Sequence, residues 1–425
     1  MRNKKTIRRN LNIMISVAIM GHGVVGGGVA EILYTHKQKL FAAIGEEINV
    51  KHILDLREFP DSPYADRFTK DFNDIVNDIE VRVVVETMGG LHPAYEFVKE
   101  CLSNGKSVVT SNKELVAAYG AELLAIASEQ NANFMFEAAV GGGIPIIRPI
   151  NQCLVANNVS EIAGILNGTT NFILTKMIHE GMGFDEALQL AQELGYAERN
   201  PEADVEGHDA CRKICILASL AFGKHIYPDA VHTEGISKIK AADVEYADAW
   251  GGVIKLIGSV KKLDKDTIDI IVAPMFVPNE SQLANIDDVF NGIMVRGDCT
   301  GDVVFYGKGA GKLPTASAVV ADVVDSIKHL KSRKYLSWAD SDNSSVLPYQ
   351  ESVRAMYLRG VADDTAAAYD KAKAAFGEIH VLTKDNAPAN EVAFITEPMA
   401  LSDFDAKKAS LTGMTIESVI RIGDL

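Results

Sequence analysis

The sequence predicts an α/β chain, with a doubly wound parallel sheet first, an α+β domain after it and a small further unit at the C-terminus. Three observations carry that expectation. Between residues 13 and 147 apolar strand-like runs alternate with helical ones, the pattern of a parallel sheet covered on both faces. The first of those runs ends in a glycine-rich turn, Gly21-His22-Gly23-Val24-Val25-Gly26, which opens a helix. From about Pro149 the pattern changes to amphipathic helices followed by grouped strands, as in a domain with a sheet of its own.

In the first part, strands are expected at 15–20, 50–55, 81–86, 107–110 and 134–137. Helices are expected at 27–44, 93–104 and 113–130, with a short one near Asp74. Beyond Pro149, helices are expected at 171–180, 184–194 and 207–222, and strands at 267–277 and 292–297. Residues 307–314 lead into a long apolar helix at 316–330, and the serine- and aspartate-rich stretch after it reads as a linker. The expected divisions are a basic tail 1–13, an α/β domain 14–148 completed by a helix at 314–331, an α+β domain 149–313, a linker 332–349 and a C-terminal domain 350–425.

Composition narrows the class of partner. The 57 acidic side chains outweigh 42 basic ones, and the net charge of −15 argues against nucleic acid or an anionic membrane surface and for small molecules. Five scattered cysteines suggest neither a disulfide framework nor a CxxC metal site, and fit a reducing, cytoplasmic compartment. The ten histidines are dispersed, without zinc-ligand spacing. Arg2, Lys4, Lys5, Arg8 and Arg9 precede a short apolar run in superficial imitation of a secretory signal. That run passes directly into the glycine turn, so the tail is expected to be a disordered basic segment or the product of a start codon misplaced upstream of Met14. No apolar stretch reaches the roughly 18 residues required of a membrane span.

The turn 21–26 has the strand-before, helix-after context of a Rossmann-type dinucleotide site. Its glycines permit a tight turn and let a pyrophosphate approach the backbone N–H groups of Val24, Val25 and Gly26 at the helix start. Asp55 ends the second strand, where a carboxylate meets the ribose hydroxyls of NAD; an exposed loop carboxylate is the plainer alternative. Arg57, two residues on, is placed to meet the 2′-phosphate of NADP instead.

In the second part, Asp209 and Lys213 lie four apart on a helix and share a face. Such pairs are commonly surface salt bridges, but the neighbouring Ala210, Cys211, Ile214, Cys215 and Leu217 leave little of this helix for solvent. A buried or cleft-facing lysine can exchange a proton near neutrality. Lys113, at the mouth of a strand, is either a second such group or a helix-surface lysine.

Several stretches together resemble the homoserine dehydrogenases in order and spacing. They are Thr110-Ser111-Asn112-Lys113, Asn167-Gly168-Thr169-Thr170-Asn171-Phe172, Leu194-Gly195-Tyr196-Ala197-Glu198, Asp204-Val205-Glu206-Gly207-His208-Asp209 with Lys213, Gly307-Lys308-Gly309-Ala310-Gly311 and Pro314-Thr315-Ala316. The resemblance implies NAD(P)-dependent interconversion of L-homoserine and L-aspartate 4-semialdehyde. It implies Lys213 as general acid and base, Lys113 assisting near the nicotinamide, Glu198 and Asp209 (with Gly195) on the substrate, Asp204 ordering the site and Gly311 beside the cofactor. It further implies a monovalent cation, sodium or potassium, on the carbonyls of Glu137, Val140, Gly142 and Ile144; a tight loop that merely shapes the cleft is the alternative. Relatives often carry arginine where Leu54 stands here, which tilts cofactor choice toward NAD or toward use of Arg57. A homodimer or homotetramer is also implied.

The last unit, from Tyr357-Leu358-Arg359-Gly360-Val361 through strands near 379–383, 392–396 and 418–422, looks like a ferredoxin-like ACT domain. In many relatives this module senses threonine. Its loop here, Asp364-Thr365-Ala366-Ala367-Ala368, lacks the usual glycine, so a threonine effector and a purely assembling module both stay open. Two other readings compete with the dehydrogenase: a non-catalytic amino-acid sensor, and an oxidoreductase acting on another small amino-acid aldehyde. Retention of Lys113, Glu198, Asp209 and Lys213 together argues against the first, and the 198–213 segment against the second.

Overall fold

The computed structural model describes residues 14–333 and 336–425, so the predicted basic tail 1–13 lies outside the described residues. The chain divides into two compact units, one running to Ala139 and joined by Gly311–Ser337, the other Val140–Ala310 with Trp338–Leu425.

In the first unit the expected doubly wound sheet is present. Its described strands are β1 (Met14–Met20), β2 (Glu47–Leu54), β3 (Phe68–Thr69), β4 (Val81–Glu86), β5 (Ser107–Thr110) and β6 (Phe134–Met135). They are all parallel, in the order β3-β2-β1-β4-β5-β6. Valine and isoleucine dominate β1, β4 and β5 because these strands are covered on both faces. Val17, Ile19, Val83, Val85 and Val109 pack with Val29 and Leu33, and with Ala316, Val319 and Val323 of the helix Lys312–Lys328, which returns to this unit.

The edge strand β3 was not foreseen, and two further differences from the expectation have a local cause. The helix foreseen at 27–44 is two, Val24–Thr35 and Lys37–Ile44, broken at His36. There the Thr35 hydroxyl donates to the Glu31 carbonyl (2.7 Å) and contacts His36 Nδ1 (3.0 Å), local bonds that compete with the helical ladder. The strand foreseen at 134–137 stops at Met135, because the chain turns through Glu137–Ala139 while the Glu137 N–H donates to Asp322 Oδ2 at 2.8 Å.

The second unit holds β7 (Val159–Ile165), β8 (His232–Thr233), β9 (Gly252–Lys262), β10 (Ile268–Pro278), β11 (Phe290–Gly297) and β12 (Gly301–Lys308). Its C-terminal part adds β13 (Val353–Arg354), β14 (Met356–Val361), β15 (Ile379–Val381), β16 (Glu391–Thr396), β17 (Met399–Ala400) and β18 (Thr415–Ile422). β14, β15, β16 and β18 alternate with the helices Thr365–Phe376 and Leu401–Ser410 in a ferredoxin-like βαββαβ unit, strand order β18-β14-β16-β15, with its own core of Leu358, Phe376, Phe394 and Phe404. This small sheet is not freestanding. β18 runs parallel to β10, pairing Met275 with Arg421 and Phe276 with Ile422, so one sheet extends β12-β11-β7-β9-β10-β18-β14-β16-β15, with β8 also beside β10.

The polar stretch expected to be a linker is laid down on this unit along much of its length. Trp338 is buried and its indole donates to His225 Nδ1 (2.8 Å), Ala339 and His225 exchange backbone bonds with their neighbours, and Asn343 accepts from the Tyr227 N–H at 3.0 Å. Among the described residues no helix is long and apolar enough to cross a membrane.

Candidate active site

The dinucleotide turn is shaped by backbone. β1 ends at Met20; the Gly21 N–H donates to Leu54 O at 2.8 Å, and the Thr87 hydroxyl donates to Gly21 O at 2.9 Å. Gly23 caps the helix Val24–Thr35 without a side chain, so the N–H groups of its first turn have no side-chain cap, and the positive end of the helix dipole points out of the turn. Only glycine fits at position 26, since a Cβ there would lie 1.9 Å from Gly21 O. Gly311, which precedes the helix Lys312–Lys328, lies in the same unit, and Lys312 pairs with Glu31 at 2.7 Å.

Asp55 does more than end β2. Its Oδ2 accepts the His22 N–H (2.8 Å), its Oδ1 accepts the Arg57 N–H (2.9 Å), and the Arg57 guanidinium closes a fork on both oxygens at 3.0 and 2.9 Å. The Arg57 hydrogen bond, despite some burial, holds the Asp55 carboxyl well below the usual carboxylate range. Arg57 also lies over the Phe59 ring at 5.1 Å. The His22 ring sits edge-on to Phe59 and Phe68, at 4.6 and 5.0 Å between centroids, and burial lowers its pKa. Asp55, Arg57, Phe59, Phe68 and Lys70 line a cavity of about 300 Å³. Leu54, by contrast, is buried.

Lys113 is the first residue of the helix Lys113–Glu129, and its position is fixed by Asn112, whose Oδ1 accepts the Leu115 N–H (3.1 Å) and whose Nδ2 donates to Gly90 O (2.6 Å). Behind it stands a residue that sequence reasoning missed. Glu86 is fully buried, accepts from the Thr110 hydroxyl (2.5 Å) and from the Met88 and Gly89 N–H groups, and its pKa is raised by that burial. An acid directly after the apolar run Val83–Val85 of β4 was the signal available.

In the second unit the structure brings Lys213, Asp209 and Asp204 together. Lys213 Nζ donates to Asp209 Oδ2 and to Leu166 O, each at 2.7 Å, and both side chains are buried. The pair is therefore no surface salt bridge. Asn167 joins it to Asp204: its Nδ2 donates to Asp204 Oδ1 (2.7 Å) and to Asp209 Oδ2 (2.9 Å), while its Oδ1 caps the helix Gly168–Glu180 by accepting the Thr170 N–H at 2.9 Å. Asn167 stood in a quoted motif without a role; its place just before an amphipathic helix was the clue. Glu198 and Gly195 lie outside this hydrogen-bonded cluster, on the exposed loop that follows the helix Phe184–Glu193. That loop is tied down where the Thr169 hydroxyl donates to Tyr196 O at 2.7 Å.

Of the residues read as a cation site, Glu137 belongs to the first unit and is buried. Val140, Gly142 and Ile144 belong to the second. Gly142 has φ +56°, and a Cβ there would stand 2.2 Å from Gly309 O; the Gly143 N–H donates to Lys308 O at 3.1 Å. Among the described residues no group of three or more His, Cys, Asp or Glu could hold a metal ion.

A glycine turn feeding a helix on a doubly wound sheet, with a buried lysine–carboxylate cluster in a second unit, defines a dinucleotide-dependent oxidoreductase. Comparison with known proteins makes this particular. The homoserine dehydrogenase family model matches residues 145–324, and that of the homoserine dehydrogenase NAD-binding domain matches residues 21–137. A homoserine dehydrogenase of Neisseria gonorrhoeae is 41% identical over 359 residues, 82% of each chain, and one of Synechocystis is 37% identical over 432 residues, covering 96% of this chain and 99% of that protein. Among solved structures, a homoserine dehydrogenase from Thiobacillus denitrificans superposes with a TM-score of 0.85 at 35% identity, over 97% of this chain and 99% of the other. A hyperthermophilic archaeal homoserine dehydrogenase in complex with NADPH gives 0.64 at 29% identity, over 74% of this chain and 98% of that one. The chain belongs to the homoserine dehydrogenase family.

Proposed function

We propose that this chain interconverts L-homoserine and L-aspartate 4-semialdehyde through Lys213, as a cytoplasmic enzyme of threonine and methionine biosynthesis. One observation supports this above the rest: Lys213 is buried with its ammonium directed at Asp209 and at Leu166 O, a placement that fixes one proton-carrying nitrogen inside the family's substrate domain. The turn 21–26 fits a dinucleotide because it offers helix N–H groups without a side-chain cap and has no Cβ at Gly26 to block approach. The nicotinamide supplies the acceptor, or in reverse the donor, of a hydride. In oxidation Lys213 takes the proton of the substrate hydroxyl as C–H hydride departs; in reduction its ammonium polarises the aldehyde oxygen and returns that proton. Asp209 holds the lysine in place, Asn167 spaces Asp209 from Asp204, and Glu198 with Gly195 meets the substrate ammonium from the neighbouring loop. Lys113 assists at the nicotinamide end.

For cofactor choice, Arg57 and Lys70 beside the 300 Å³ cavity suit the 2′-phosphate of NADP, while Asp55 is already engaged by Arg57. NADP is accordingly the preferred cofactor and NAD the alternative. The carbonyls of Glu137, Val140, Gly142 and Ile144 hold a monovalent cation, sodium or potassium. The C-terminal βαββαβ unit acts as an ACT domain with threonine as effector, and copies of the chain assemble as a homodimer or homotetramer. The half-exposed edge strand β12, with Tyr306 58% exposed, suits such assembly.

The test follows NADH and NADPH formation from L-homoserine, for the unsubstituted enzyme beside Lys213→Ala, with and without added threonine. Turnover that disappears in the variant is the expected result. Full turnover in Lys213→Ala sinks the assignment of the proton-transfer residue.

A further inference from the structure

Three arginines of the C-terminal part reach acids of the preceding domain: Arg354 pairs with Asp269 (2.6 Å), Arg359 with Asp243 (2.8 Å) and Arg421 with Glu234 (2.6 Å). Of these acids, Glu234 opens the ribbon that lies on the segment before the helix His208–Phe222. Arg421 projects from β18, is 3% exposed, and grips Glu234 with both terminal nitrogens, Nη1 to Oε2 at 2.7 Å and Nη2 to Oε1 at 2.6 Å. Nη2 also donates to the Tyr349 hydroxyl, and the Tyr349 ring stacks on His232 at 3.4 Å with 6° between planes. His232 in turn bonds Glu234 Oε1 at 2.6 Å. Burial alone would raise the Glu234 carboxyl, yet the bonds from His232 and Arg421 bring it down to about 2.

Glu234 begins a short ribbon that lies directly on the residues before the catalytic helix. Its N–H donates to Val272 O (2.8 Å), which fastens the ribbon to β10, and two residues on the Ile236 N–H donates to Val205 O at 2.8 Å. Between them Gly235 is pressed so closely on the 204–207 segment that a Cβ would lie 2.1 Å from Val205 O and 2.4 Å from Glu206 Cα. Gly207, the N-cap of the helix His208–Phe222, faces the Glu234 carbonyl in the same way, a Cβ falling 3.2 Å away. Asp204 stands one residue before Val205, and Asp209 two residues after Gly207. Whatever holds the ribbon therefore holds the backbone that aims both carboxylates and, one helical turn on, Lys213.

We infer that Arg421, a residue of the C-terminal unit, is a positioning residue for the homoserine-side machinery, acting through Glu234 and the 234–236 ribbon on Asp204, Asp209 and Lys213. This rests on the reading of those three residues given above. It makes the C-terminal unit part of the catalytic apparatus, whatever that unit binds. The coupling is one of placement: a bidentate guanidinium–carboxylate fork fixes distance and plane together, which a single-point ammonium does not.

The experiment compares Arg421→Met, Arg421→Lys and Arg354→Met in the full chain, measuring kcat and KM for L-homoserine and for the dinucleotide together with the thermal midpoint. Arg421→Met is expected to lower kcat/KM for homoserine about tenfold, with the dinucleotide KM within about twofold, since misplacement remote from the chemistry costs on that order or more. Arg421→Lys recovers part of the loss, and it carries the test if Arg421→Met does not fold. Arg354→Met removes a comparably buried pair, Asp269 with Arg354, that does not touch the ribbon; it lowers the midpoint and leaves kcat/KM unchanged. Equal loss of turnover in Arg354→Met overturns the inference by showing general loosening, as does a lowered midpoint with full kcat/KM in both Arg421 variants. Retained turnover in Lys213→Ala, run alongside, would instead bring down the reading on which the inference rests.

Discussion

The dinucleotide turn of the first unit and the lysine cluster of the second are held by different means. Around residues 21–26 the backbone does most of the work, with the Gly21 N–H on Leu54 O and no room for a Cβ at Gly26, helped by the Thr87 hydroxyl on Gly21 O. Around Lys213 the work falls to side chains, with one asparagine amide spacing two carboxylates and one carboxylate and one carbonyl receiving the ammonium. A backbone-built site tolerates changes of side chain but no added atom at its closest approach. A side-chain-built site depends on each of its members and on the backbone that aims them.

The largest effect should come from breaking the second kind of site. Lys213→Ala removes the group proposed to move the proton, so kcat should fall by about 10²–10⁴-fold, while dinucleotide affinity, a property of the other unit, stays as it was. Fluorescence titration with the reduced cofactor separates the two; a parallel loss of cofactor affinity would mean that the units are not independent in this respect.

Gly26→Ala is the converse. The added methyl would meet Gly21 O, and the strand or the turn must shift to relieve it, at about 1–3 kcal/mol of stability. Dinucleotide affinity is expected to fall by about tenfold or more, because the first-turn N–H groups move with the turn. Wild-type affinity in a folded Gly26→Ala protein would show that the pyrophosphate does not rely on this approach.

This contrast also explains what the sequence let one read. The backbone-built turn was legible because glycine spacing after an apolar strand is itself the structural device. The i,i+4 placement of Asp209 and Lys213 was legible for the same reason, being local. What Asn167 does was not, since Asp204 is 37 residues away and Asp209 42, and nothing local sets that meeting. The engagement of Asp55 by Arg57 was missed although the two are neighbours, because a fork depends on rotamers and the sequence carries only residue types. β9 escaped notice because its middle is buried on both faces and shows no alternation, and the stretch around Trp338 read as a linker because its composition is polar while its anchors are a buried indole and backbone and amide bonds to distant residues.

Asn167→Ala sharpens the comparison at intermediate magnitude. It removes the helix cap, worth about 1 kcal/mol, and leaves Asp204 and Asp209 without the amide between them. The expected result is a modest drop in thermal midpoint and a fall in kcat/KM for homoserine of about tenfold, with the dinucleotide KM unmoved. A drop in midpoint with full kcat/KM would reduce Asn167 to a cap and nothing more.

The smallest effect belongs to a side-chain device of the dinucleotide unit, the Arg57–Asp55 fork. Arg57→Ala frees Asp55, and if Arg57 meets the 2′-phosphate the ratio of kcat/KM for NADP to that for NAD should fall several-fold, about one charge-assisted hydrogen bond's worth. An unchanged ratio would locate phosphate recognition elsewhere. The same variant should alter the acid limb of stability. Asp55 is held below its ordinary value of 3.8 chiefly by the Arg57 hydrogen bond, so the folded protein gains stability from its ionised form above that value and loses it as pH falls below. With Arg57 gone the Asp55 carboxyl returns toward 3.8 and that part of the acid sensitivity shrinks, although the His22 and residue-57 N–H groups still bond it. Arg57 is largely exposed, so the loss of thermal midpoint in the variant should be slight; it should be fully present near pH 7 and fade as pH falls below 3.8, where Asp55 of the unfolded chain takes up its proton.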